Sequence, residues 1–219
     1  MTPVDTPAFR AWFGRSRIVD RAGRPLVLYH GTRRSFLAFD LTRTGQGGWK
    51  RAGQMRRPAT LQAGIYLTTA RAWAEDYAGK DEDTGEVLGT VLTVYASIQR
   101  PLRIDAAKEV RANAREDLRR RGRSASADAV YDWISERGSF GAFDADRRMD
   151  RAIYEARAGG YDGVVVDWGD LTEAWGPYGE DELQLGLTVI ALDPRQVKRV
   201  DNAGTWSRSS ANLLEGLRR

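Results

Sequence analysis

A chain of 219 residues, 42% apolar and 29% charged, has enough of both to bury one ordinary domain core beneath a polar surface. No run of about 18 apolar residues occurs, which excludes a membrane-spanning helix, and residues 1–13 lack a secretion-signal pattern, so a soluble cytoplasmic protein is expected. Having no cysteine excludes disulfides and thiolate metal sites, and a single histidine, His30, argues against zinc or iron.

Residues 6–13 read as a short helix with Phe9, Trp12 and Phe13 on one side. Residues 18–26 read as two short strands around a turn in which Gly23 takes the awkward dihedral. An apolar run, Leu26-Val27-Leu28-Tyr29, then ends in His30, Gly31 and Thr32. A strand ending this way puts an imidazole, bare backbone and a hydroxyl at one spot, which suits a ligand with an amide and vicinal hydroxyls. The same residues equally fit a core histidine followed by a turn glycine. Phe36 and Phe39 are expected as core anchors. Residues 41–62 show no periodicity and mix glycines with Arg43, Lys50, Arg51, Arg56 and Arg57. A loop of this length is either a solvated segment or a flap over a phosphate-bearing ligand.

Residues 64–68 read as a strand, and Thr69 as the cap of a helix over 70–78 with Trp73, Ala74 and Tyr77 on one face. An acidic turn region spans 81–89, and a strand over 91–98 is closed by Pro101. Three helices are expected next. Asp105 caps the first, which runs to about residue 121 with Val110, Ala114 and Leu118 inward and arginines outward. Residues 126–137 and 144–158 supply the other two, the last ending at Gly159-Gly160. Six arginines fall within residues 111–123, a cluster that reads as a solvated helix end or a docking surface for a phosphorylated or acidic partner. Residues 161–166 form a buried strand, 167–181 an acidic loop, and 185–192 the last clear strand. A polar tail with a short helix at 210–217 follows. Helices inserted among strands of mixed length predict an α+β fold in one domain over 1–219, with a core at about 8–200 and a tail at 201–219.

Separated pieces of this chain, Tyr29-His30-Gly31-Thr32, Gly64-Ile65-Tyr66-Leu67, Tyr77 and residues 188–197, together resemble the His-Tyr-Glu branch of the ADP-ribosyltransferases. That branch includes the diphtheria-type toxins and the poly(ADP-ribose) polymerases. Phe9-Arg10-Ala11-Trp12-Phe13-Gly14 and Gly160-Tyr161-Asp162-Gly163 are more similar to ADP-ribosyltransferase domains of bacteriophage and polyvalent mobile-element proteins. The resemblance implies two small β-sheets with inserted helices and a cleft that grips NAD+ as substrate, without a metal. His30 would bind the adenosine ribose, Gly31 would give its backbone to the carboxamide, and Thr32 would reach the carboxamide or the neighbouring ribose. Tyr66 and Tyr77, eleven residues apart, would sandwich the cationic nicotinamide, with Ala74 lining the site. The implied activity is mono-ADP-ribosylation of a macromolecule, a protein ahead of a nucleic acid, by a bacterial or phage toxin or effector with a candidate neutralising partner.

One position departs from the pattern. Thr188 stands where the family places a glutamate, and a hydroxyl cannot supply charge. Three readings follow. The target lends a carboxylate; an acid comes from the loop at Glu180, Asp181 and Glu182, with Glu182 the best substitute and Asp167, Asp170 and Glu173 further choices; or the domain binds NAD+ without turnover. NAD+ glycohydrolysis, and modification of a small molecule, remain alternative activities.

Overall fold

The computed structural model describes residues 3–43, 64–81, 84–144, 147–174, 182–202 and 204–214. Helix α1 (Pro7–Phe13) opens the chain, followed by strands β1 (Leu28–Thr32) and β2 (Ile65–Thr68), helix α2 (Arg71–Ala78), and strands β3 (Thr90–Ala96) and β4 (Pro101–Asp105). Four helices come next: α3 (Ala106–Arg120), α4 (Ala127–Ser135), α5 (Ser139–Asp144) and α6 (Arg148–Ala158). Strands β5 (Gly163–Asp167), β6 (Thr172–Ala174), β7 (Glu182–Gln184), β8 (Leu187–Ala191) and β9 (Val197–Arg199) complete the set.

Seven strands form a mixed sheet in the order β4-β5-β8-β2-β1-β3-β9, and β6 and β7 form a separate hairpin. Only β4 and β5 run parallel, because the helices α3 to α6 carry the chain from one to the other. Side chains alternate across the sheet and so feed two cores. Leu28, Ile65, Leu67, Val94, Val165, Val189 and Ala191 fill one face. Val164, Val166 and Ile190 fill the other, against Val110, Leu118, Val130, Phe143 and Ile153 of the helices. Each such side chain, when fully buried, contributes roughly 1.5–3 kcal/mol. The α+β class and the inserted helices are as the sequence predicts.

The seven strands divide into two halves at β1 and β2. β1 pairs with β3 over five registered positions, but with β2 only at Tyr29↔Thr68. Helix α2 closes over this joint, and Gly31 is the reason it can. A Cβ on Gly31 would overlap the carbonyl oxygen of Ala74 and lie 2.8 Å from the amide of Ala78. The Gly31→Ala variant is therefore expected to lose about 1–3 kcal/mol of stability or more by overpacking, read as a lower thermal midpoint.

Several expectations are corrected. Residues 18–26 make a turn at Gly23 (φ 78) and an isolated Val19↔Pro25 bridge rather than two strands. Thr69 does not cap α2. Its hydroxyl accepts the Leu187 amide at 2.9 Å, while Thr68 Oγ1 accepts the Ala70 amide at 3.0 Å. Four helices, not three, separate β4 from β5, α5 being short and glycine-bearing. β4 begins at the proline that was expected to end a strand, and it occupies a sheet edge, where a missing N–H costs no ladder bond. Residues 210–214 form a bridge and a turn rather than the start of a helix, while residues 215–217 of that expectation, and residues 44–62 of the expected loop or flap, lie outside the described residues. Trp206 and Leu213 are buried, and Lys198 Nζ, itself buried, donates to the carbonyls of Ser210 and Asn212 at 2.7 and 2.8 Å.

A carboxylate ties α3 to α4. Asp117 accepts the Trp133 indole N–H at 2.8 Å and pairs with Arg120 and Arg121 at 2.8 and 2.9 Å. These partners, the indole first, hold its pKa at about 2 against an ordinary 3.8. Its stabilising contribution is whole above 3.8 and disappears as pH falls towards 2. Thermal melts of wild type and Asp117→Asn should converge across that interval, and a constant gap between them would refute the assignment.

Candidate active site

At the joint between β1 and β2 the His30 side chain meets the main chain of Tyr66. Beyond Tyr29 the two strands share no further register, and the His30 imidazole occupies the gap, its Nδ1 2.8 Å from the carbonyl oxygen of Tyr66. A carbonyl only accepts, so Nδ1 carries the proton and Nε2 of the neutral ring is an acceptor. Burial, partly opposed by the bond to Tyr66, pushes the histidine pKa below its ordinary 6.5. The ring sits edge-on to Phe39 at 4.8 Å and 88°, and near Phe36 at 6.3 Å. Those two phenylalanines pack on the face of the sheet that holds Leu28 and Leu67.

Tyr66 faces the other way, towards the helices, between the oppositely directed Ile65 and Leu67. Trp73 of α2 packs against the same core, and its ring lies 6.0 Å from that of Tyr77, which is 44% exposed. The imidazole and the Tyr66 ring thus lie on opposite faces of the joint, tied through the Tyr66 main chain. Space freed at Gly31 is filled by Ala74 of α2 rather than left open above the glycine. The Thr32 hydroxyl accepts the Arg34 amide at 3.1 Å in a local turn, so the expectation that it reaches a ligand meets a competing partner.

Thr188 is buried in the row Val166–Thr188–Thr68–Tyr29 across β5, β8, β2 and β1. Its Oγ1 accepts the indole N–H of Trp168 at 2.9 Å. Trp168 stands at the end of an aromatic series in which Trp73 lies 6.1 Å from Phe140, and Phe140 lies 6.0 Å from Trp168. Sequence reasoning missed Trp168 and Phe140. Trp168 falls in what reads as an acidic loop, and nothing in linear spacing ties it to a hydroxyl 20 residues later.

Of the acids considered, Glu182 lies on β7 opposite Ala174, in the hairpin outside the main sheet. Its side chain and that of Glu173, like Glu180 and Asp181, lie outside the described residues. The Asp167 carboxylate accepts the Gly169 amide at 2.9 Å, and Asp170 pairs with Arg111 at 2.6 Å. Among the described residues, no group of His, Cys, Asp or Glu is placed to hold a metal ion, and no helix is long and apolar enough to cross a membrane.

The family model described as ADP-ribosyltransferase in polyvalent proteins matches residues 20–207. The chain belongs to that family. Searches of the curated proteins and of the solved structures return no match. Membership bears out the resemblance to the ADP-ribosyltransferases and the link to polyvalent proteins. ADP-ribosyltransferases take NAD+ as substrate, and the chemistry of the joint is compatible with it. A neutral imidazole offers an acceptor to a ribose hydroxyl, and tyrosine and tryptophan rings offer faces to a cation. The Thr188 hydroxyl, for its part, is already engaged by the Trp168 indole.

Because the chain has one histidine, its imidazole resonances are unambiguous. They should titrate below pH 6.5, with Nδ1 the protonated nitrogen of the neutral ring. The unfolded chain takes up its proton at about 6.5, so stability should fall as pH drops from there towards the folded-state value. Titration at or above 6.5 would overturn the partly buried, Tyr66-bound geometry.

Proposed function

We propose that this domain transfers the ADP-ribosyl group of NAD+ to a macromolecular acceptor and releases nicotinamide. The bond from His30 to Tyr66 carries the reading, because it joins two residues of the motif segments across 36 residues where β1 and β2 part. His30 Nε2 takes a ribose hydroxyl and holds the substrate bent. The rings of Tyr66 and Tyr77 attract the pyridinium, an interaction worth about 0.5–2 kcal/mol. Gly31 and Thr32, which follow His30 on β1 where the pairing with β2 has ended, offer main-chain groups to the carboxamide, and Ala74 backs Gly31.

The bond from ribose C1′ to the nicotinamide nitrogen breaks, and its electron pair neutralises the ring. Nicotinamide therefore leaves without needing a proton. The acceptor nucleophile bonds to C1′ from the opposite side, and its proton passes to a base. The sugar is oxocarbenium-like at that moment, as in glycoside hydrolysis. Thr188 supplies a hydrogen bond there and no charge, so the base comes from the acceptor or from the acidic segment that contains Glu182. A positioned acid or base is worth about 10²–10⁴-fold, which sets the scale of the handicap.

That missing charge favours two further readings: NAD+ glycohydrolysis with water as acceptor, and a module that binds NAD+ without turnover. In the leading reading the domain is a toxin or effector of a mobile element, held in check by a neutralising partner.

Incubation with adenine-labelled NAD+ and cell lysate should label a macromolecular fraction and release nicotinamide. Both His30→Asn and Tyr66→Ala should lower release by about 100-fold, the penalty of lost orientation, while Thr188→Glu should raise it. Release without acceptor labelling would favour the hydrolase. Calorimetric binding with no release would favour the binding module. Unchanged release in both His30→Asn and Tyr66→Ala would remove the site from this joint.

A further inference from the structure

Beside the end of β5, on the helix side of the sheet, the surface opens into a concavity of about 480 Å³. Its walls include Lys108, Arg111 and Arg115 of α3, together with Asp105, Asp167 and Gly169. The carboxylates there already have partners. Asp105 Oδ1 accepts the Lys108 amide at 2.9 Å as the cap of α3, and Asp167 Oδ1 accepts the Gly169 amide at 2.9 Å. Asp170, just outside, holds Arg111 at 2.6 Å, and that guanidinium keeps its carboxyl below the usual range. The Lys108 and Arg115 side chains, both exposed, have no anionic partner among the described residues.

The cations continue past the concavity. Lys108, Arg111, Arg115 and Arg119 follow at steps of three and four residues and so lie along one stripe of α3. At 1.5 Å of rise per residue the stripe is about 16 Å long. Further along, Arg120 and Arg121 are drawn aside to Asp117, which leaves Arg119 to extend the line. The concavity lies next to the reaction site by way of one residue. Asp167 and Gly169 flank Trp168, whose indole holds Thr188.

We infer that this stripe is a docking track for a nucleic-acid strand, whose phosphodiester backbone runs along α3 and brings the strand to the cleft. What is then done to the strand rests on the transferase reading; the docking itself does not. A single phosphate on a protein would call for cations converging on one point, whereas these are spread in a line. A nucleic-acid strand carries one charge per nucleotide, about every 3.4 Å of axis in a duplex and at wider steps in an extended single strand, so several phosphates fall along the stripe. A nucleic acid presents that periodic charge whatever its sequence, while a peptide must be specially acidic to do so. The net charge of +4 assists encounter with any polyanion. This reverses the order of acceptors expected from the sequence, where a protein stands ahead.

The test is binding of fluorescent single-stranded DNA and RNA 20-mers to the intact chain without NAD+, across about 50–200 mM salt. A Lys108→Ala, Arg115→Ala, Arg119→Ala triple variant alters exposed side chains only, and an unchanged thermal midpoint verifies its fold. Binding should weaken at least tenfold, and the slope of log K against log salt should drop by about 2, at about 0.7 per lost contact. An unchanged slope in the variant, no binding by the wild type, or tighter binding to poly-glutamate than to either oligonucleotide would each overturn the track. Since no NAD+ is present, these outcomes leave the transferase reading standing. A catalytic failure, in turn, leaves the binding result intact.

Discussion

One hydrogen bond organises the joint of the sheet: the Nδ1–H of His30 to the carbonyl of Tyr66. Where β1 and β2 part, main-chain groups lose their ladder partners, and a buried unpaired carbonyl costs free energy comparable to a lost hydrogen bond. The imidazole meets that need with a side chain. It thereby holds two strands near each other without zipping them together. The same bond selects the tautomer, leaves Nε2 an acceptor, and works with burial to keep the ring neutral. A lysine or arginine in this place would bring a charge that the surrounding Phe36 and Phe39 could not solvate.

Around that bond the rest of the region is positioned by packing. α2 lies on β1 because Gly31 has no side chain to lift it, and this close approach sets Trp73 and Tyr77 on the helix side of the joint. Arg71 of the same helix lies over the ring of Tyr29 at 5.8 Å, a second tie between α2 and β1. The hydroxyls of Thr68 and Thr69 serve the turn between β2 and α2, one by receiving an amide of the helix start and the other by receiving an amide of β8. Polar side chains near the candidate site are thus largely committed to main-chain partners. Rigidity of this kind favours pre-organised binding over adaptive closure.

Position 188 shows what a buried hydroxyl in the sheet does to its neighbours. A hydroxyl in a buried strand needs fewer partners than a carboxylate, and the Trp168 indole supplies one. The indole in turn is packed edge-to-face against Phe143 at 5.2 Å, so its direction is held by the helical layer rather than by the loop it belongs to. The row therefore has orientation without charge.

The periodic signals in the sequence determined the local elements. The strand at residues 64–68, the apolar run ending in His30, the Asp105 cap and the arginine-faced helix after it could each be read from neighbours a few positions away, since propensity, capping and amphipathicity act over one or two turns. The motif order likewise allowed the family to be named. Tertiary structure alone decided what depends on distant pairings. It placed β4 at an edge, turned the Tyr66 carbonyl to His30, filled the space over Gly31 with Ala74, and brought Trp168 to Thr188. It also buried Trp206 and Leu213 in what reads as a polar tail, because two apolar side chains among many polar ones carry no period and declare themselves only when a core receives them.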